Sequence, residues 1–142
     1  MRRLLFVTVF AAGCSNQNPG SAEALWDELQ ADEYHSWSRP PGYPGRTPSS
    51  TVHGDEVEIF VNDVLATALS AGAPLSRWPD GARIVKDGFQ GGTNHVVVAM
   101  DKRGDEWFFA EYEPDGEVLY SGHPHACTRC HGDANDGVLA FA

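Results

Sequence analysis

Apolar and polar positions alternate over Glu56 to Val61, and a period of two predicts a strand. Val57, Ile59 and Val61 fall on one face of a strand over Glu56 to Val61. Trp78-Pro79-Asp80-Gly81 reads as a turn, because Pro presets φ and Gly accepts a left-handed position. It leads into a strand over Ala82 to Asp87, after which Gly91-Gly92 breaks the chain again. Asn94 to Asp101 carries the β-branched run Val96-Val97-Val98, and Glu106 to Glu113 is rich in aromatic side chains. Turns at Lys102 to Asp105 and at Pro114-Asp115-Gly116 separate these from a last strand over Glu117 to Tyr120.

Two segments switch to helical spacing. Ser21 is placed to cap a helix over Ala22 to Gln30, with Leu25 and Leu29 at i, i+4 and Glu23 in the first turn. Asn62 is placed to cap a second helix over Asp63 to Ala71, with Leu65 and Leu69 inward and Gly72 as its stop. The Pro- and Gly-rich run from Arg39 to Ser50 reads as a loop crossing the surface. The expectation is a mainly β (α+β) domain: about five strands in one antiparallel sheet, with a few short helices. No internal repeat or heptad pattern is visible.

The amino terminus has a different logic. Arg2-Arg3 is basic, Leu4 to Ala12 is apolar but far too short to span a bilayer, and small residues follow up to Cys14. This predicts an export signal over 1–13. The junction before Cys14 resembles the lipobox of bacterial lipoproteins, with Ala11 where that pattern usually has Leu. The resemblance implies acylation of Cys14, a lipid-anchored protein facing the periplasm, and, from Ser15, sorting to the outer membrane. A plain secretory signal with an incidental Cys is the alternative; both place the domain outside the cytoplasm. Residues 14–21 then form a tether and 22–142 one domain. A net charge of −10 offers no field for phosphates, which argues against nucleic acid and favours a basic redox protein as partner.

The most specific chemistry is Cys127-Thr128-Arg129-Cys130-His131. Cys-x-x-Cys-His is the spacing that attaches a haem covalently: two thiols add to its vinyl groups, and the adjacent imidazole binds the iron. One covalent haem c is therefore expected, with Cys127 and Cys130 as thioethers and His131 as proximal ligand. A redox-active Cys pair, a disulfide, or a zinc site completed by His125 or His123 would use the same residues. Small electron-carrying cytochromes attach haem near the amino terminus and send a Met back from the far side, whereas only 11 residues follow His131 here. Four-helix cytochromes would need helical spacing where this chain alternates.

Several motifs recur in a family order: His53-Gly54, Val57 to Asn62, Trp78-Pro79-Asp80-Gly81 leading into Ile84-Val85-Lys86, then Met100-Asp101-Lys102 and Glu106-Trp107-Phe108-Phe109, followed by Gly116 and by Cys127 to His131 with Asp136. This order resembles the cytochrome P-460 family and its relative cytochrome c-prime-beta. The resemblance implies an antiparallel sheet with few helices, a homodimer, and a haem packed against the sheet with one open face. In the P-460 branch a lysine bonds to the porphyrin, and the matching position is Lys86. Its place beside Ile84 on a strand face would let burial lower the amine pKa and expose a nucleophile.

The hydroxylamine-oxidising members carry an arginine and a carboxylate over the open face, where this chain has Val57 and Val98. Without a base, proton removal from hydroxylamine loses about 10²–10⁴-fold. The apolar pair suits a neutral diatomic such as nitric oxide, as in the c-prime-beta branch, where phenylalanines cap the iron; Phe60, Phe89 and Phe109 are the candidates here. His53 or His95 could supply a base or a sixth ligand, and Met100 a sixth ligand. Three functions stay open: binding a small nitrogen oxide, oxidising hydroxylamine with a lysine-haem cross-link, and six-coordinate electron transfer.

Overall fold

The computed structural model describes residues 18–72, 76–132, 134, 136–139 and 141. The segment on which the export signal and the acylated Cys14 rest lies outside the described residues. Six strands form one antiparallel sheet in sequence order: β1 (Thr47–Thr51), β2 (Gly54–Val61), β3 (Arg83–Gln90), β4 (Thr93–Arg103), β5 (Glu106–Tyr112) and β6 (Val118–Gly122). With it go three short helices, α1 (Pro19–Ala31), α2 (Asp63–Ser70) and α3 (His125–His131). No helix of the described residues is long and apolar enough to cross a membrane.

The alternation thus predicts the mainly β class and the antiparallel connections, but one strand is missing from it. β1 lies inside the stretch read as a surface loop. Pro48 would break a central ladder, yet β1 is an edge strand with β2 as its single neighbour, where a missing N–H costs nothing. The first helix also begins earlier than expected. Asn18 rather than Ser21 is its cap: the Asn18 side chain accepts the Ser21 N–H at 3.3 Å, and Pro19 occupies the first turn. The helix therefore starts inside the 14–21 tether. The second cap is Asn62, whose side chain accepts the Leu65 N–H at 3.2 Å and also ties down Arg83 and Gly81.

Both faces of the sheet are covered. α1 sets Ala22, Leu25 and Leu29 against Phe60, Val85, Val97, Ala99 and Phe108, and Tyr112 donates its hydroxyl to the Ala22 carbonyl at 2.8 Å. Burial of each leucine contributes about 1.5–3 kcal/mol. Asp87, buried on β3, accepts from the Tyr34 hydroxyl and pairs with His35, both at 2.9 Å. The opposite face carries Val57, Ile59, Val61, Ile84, Met100, Trp107 and Phe109, covered at one end by Leu65, Trp78 and Val138. Over its other end lies α3, which touches this face through Cys127 and through His131 against Phe109 at 5.3 Å, and the cavity described next lies beside these contacts.

Candidate cofactor site

α3 places Cys127 and Cys130 one turn apart on the same side of the helix, with His131 beside them. Both thiols are free. His131 Nδ1 lies 2.7 Å from the Gly137 carbonyl oxygen. A carbonyl only accepts, so Nδ1 carries the proton and Nε2 keeps its lone pair, the arrangement by which metal-binding imidazoles are oriented. Gly137 is itself held from below. Its neighbour Asp136 receives the Lys102 ammonium at 2.7 and 2.9 Å and the Trp78 N–H at 2.6 Å, while the Asp136 carbonyl accepts Trp107 Nε1–H at 2.6 Å. The Lys102 side chain is fully buried. A clamp on the sheet thus fixes the loop that fixes His131.

The register of the sheet composes the cavity floor. Ile59, Lys86, Val98, Glu111 and Tyr120 are successive cross-strand partners, so they form one row on one face. Two neighbouring spaces, of about 490 and about 290 Å³, lie around this row and share His53, Cys130 and His131 as walls. Ligand cavities of about 300–1,000 Å³ are usual for cofactors. Exposed apolar side chains rim the opening: Val52, Tyr120 and Leu139 are 86 %, 42 % and 60 % exposed. These are the surfaces that a flat apolar cofactor would cover.

Burial moves the ionisable groups of the cavity toward their uncharged forms. Desolvation lowers the Lys86 amine, and its side chain has no hydrogen bond or ion pair among the described residues. Burial, reinforced by Lys86, His131 and His95, brings His53 down to about 4. His131 is lowered chiefly by burial. Glu111 is raised by burial, and Cys127 is pushed up to about 11 by burial with Glu111 and Cys130 adding to it. A thiol raised in this way is a poor redox nucleophile, which weighs against a thioredoxin-type pair. Among the described residues no three His, Cys, Asp or Glu side chains converge as a metal-holding group, so the zinc set with His123 or His125 has no four-ligand geometry.

Val57, Val98 and Phe109 all bound the cavity, as does Lys86. Phe60 is a correction: it points to the opposite face, edge-on to Tyr34 at 5.4 Å and under the Arg39 guanidinium at 3.9 Å. Successive strand residues face opposite sides, and Ile59 takes the cavity position. Phe89 follows a register shift after Gly88 and packs beneath Arg46 at 3.6 Å. Met100 lies on the cavity face beside Ile84, whereas His95 stands at the rim, its Nε2 3.2 Å from the His53 carbonyl. His125 is the first residue of α3.

Two residues were missed by sequence reasoning as members of this site. Glu111 shares the β5 face of Trp107 and Phe109, and a carboxylate at the inward position of an alternating strand was the available signal. Phe141, from the segment after α3, lines a smaller adjoining pocket with His53, Lys86 and His131, which no local pattern indicates.

No protein-family model, curated protein or solved structure matches this chain. The donor set itself fits a c-type haem: two unpaired thiols one turn apart, an imidazole with its free nitrogen defined by a backbone carbonyl, and an apolar space against a sheet. Cys127 and Cys130 would hold the porphyrin, and His131 Nε2 the iron.

Proposed function

We propose that this chain is an exported c-type haem protein that binds a small nitrogen oxide, such as nitric oxide, at an open axial position, and exchanges electrons with a basic redox protein. The observation that carries the reading is His131: its Nδ1–H is spent on Gly137, beside two free thiols and above a walled cavity. The motif order from His53 to Asp136, which resembles the cytochrome P-460 and c-prime-beta proteins, supports it and adds the homodimer as part of the proposal. Cys14 would anchor the protein to the membrane through lipid, facing the periplasm.

The haem supplies an iron that can take a small ligand on one side. The chain does the rest. Gly137 and the Asp136 clamp orient His131; Ile59, Val57 and Val98 exclude water from the ligand side; and the net charge of −10 steers a cationic partner at a rate that falls with salt. The test is an optical series on the purified protein. The oxidised form is expected to be high-spin, and carbon monoxide added to the reduced form is expected to shift the absorbance at once. A spectrum that no gas moves rejects an open position and leaves the six-coordinate carrier, with Met100 as the ligand to test.

A second reading, oxidation of hydroxylamine to nitrous oxide or nitrite, is favoured by Lys86. Its amine is buried, lowered in pKa and aimed into the same cavity as the thiols. His53 and Glu111 also lie there and can take protons that the valines at 57 and 98 cannot. A tryptic digest is expected to carry Lys86 and haem in one cross-linked species if this holds, together with turnover when an electron acceptor is added. Free Lys86 peptide and no turnover eliminate it.

A further inference from the structure

His53 and His131 bound the same cavity, but the structure treats the two imidazoles differently. His131 has its Nδ1–H committed to a carbonyl. Neither ring nitrogen of His53 has a hydrogen-bond partner among the described residues, and only its backbone is tied down: its N–H reaches Thr51 Oγ1 at 3.4 Å and its carbonyl meets His95. Imidazoles that bind a metal permanently almost always anchor their second nitrogen, as His131 does.

The backbone is built to bring His53 there. Val52 and His53 form the two-residue turn between β1 and β2, and the turn folds over the sheet at Gly88. A Cβ at Gly88 would collide with the His53 carbonyl oxygen and come within 2.7 Å of Val96 Cγ1. Gly54, at φ 134°, takes the conformation that completes the turn. The row Val57–Gly88–Val96 adjoins the cavity floor at Lys86, so the missing side chain at Gly88 is what admits the backbone of the turn that carries His53.

We propose that His53 is a distal hydrogen-bond donor: it faces the small molecule held at the open axial position and bonds to it without occupying that position itself. This rests on the haem reading above. It adds one hydrogen-bond donor beside the apolar walls Val57, Ile59 and Val98, in a cavity that Lys86 and Glu111 also border. That donor favours ligands that accept a hydrogen bond, among them fluoride and azide on the oxidised protein and nitroxyl-like forms on the reduced one. An imidazole has at least one N–H to give in either protonation state.

The test uses the haem-loaded full protein, with fluoride as the probe. His53→Leu should weaken fluoride binding to the oxidised protein about tenfold or more, the scale of one hydrogen bond to a charged acceptor. His53→Gln, which keeps an N–H, should recover part of that loss. With carbon monoxide on the reduced protein, the C–O stretching frequency should rise in the Leu variant and stay near the parent value in the Gln variant. Equal fluoride affinity in parent and His53→Leu overturns the proposal. So does an oxidised parent that is low-spin and becomes high-spin on His53→Leu, because His53 would then be the sixth ligand. A parent lacking haem altogether removes the underlying reading and the proposal with it, an outcome distinguishable by mass.

Discussion

Serine at both Cys127 and Cys130 leaves the protein colourless after denaturation and extraction, at the bare polypeptide mass, when it is made alongside a working cytochrome maturation system. The parent is expected to carry the added mass of one haem. The expected effect is all or none, because a serine hydroxyl does not form the thioether and His131 alone would hold the iron through a single reversible bond. The single variants are expected to keep haem through one thioether at reduced yield. A parent found at its own bare polypeptide mass would remove the cofactor from this chain. Cys127 contributes to packing as well, being half-buried against the cavity-face cluster, so circular dichroism of the double variant should be measured beside its mass.

Lys102→Met is expected to cost the fold about 3–5 kcal/mol, the range for removing one partner of a buried ion pair. For a domain of this size that lowers Tm by roughly 10 °C or more. The Lys102 side chain is fully buried and its ammonium is shared among both Asp136 oxygens and the Asp105 carbonyl at 3.2 Å. Methionine fills the same channel but leaves Asp136 facing only N–H donors. Asp136→Asn keeps an acceptor for the Trp78 N–H and should lose less. A second readout separates a positioning role from plain stability. Since Asp136 and Gly137 are adjacent, loosening the clamp should weaken the hydrogen bond to His131 Nδ1 and shift the iron–histidine stretching band of the haem-loaded protein. A melting curve superimposable on the parent's would sink the clamp; an unmoved band would confine it to stability.

This clamp illustrates how legibility divides. Met100-Asp101-Lys102 and Asp136 stood out in the sequence only through family resemblance, and nothing local announced that they meet, since 34 positions separate Lys102 from Asp136. β2 was legible through its alternation, while β3, β4 and β5, buried on both faces, were legible as β-branched and aromatic runs set between turn residues; β6 was marked by the turn before it. β1 was not legible: its side chains are half-exposed or exposed, so burial imprints no alternation, and Pro48 argued the other way. Phe60 was misplaced although the alternation was correctly read, because an aromatic residue suits either side of a sheet covered on both. Lys86 was placed correctly by its parity with Ile84 alone.

The sequence by itself determined the antiparallel class, the cap at Asn62, the turn at Trp78 to Gly81 and the Cys-x-x-Cys-His spacing, all of which depend on residues a few positions apart. Only the tertiary structure decided that His53, Lys86, Glu111 and His131 share one cavity, that Gly88 makes room for the His53 turn, and that Lys102 and Asp136 hold the loop behind His131. Local patterns record which face of an element is buried and where it stops. They carry no record of which buried faces are brought together, because that depends on strand register and on close packing between segments distant along the chain.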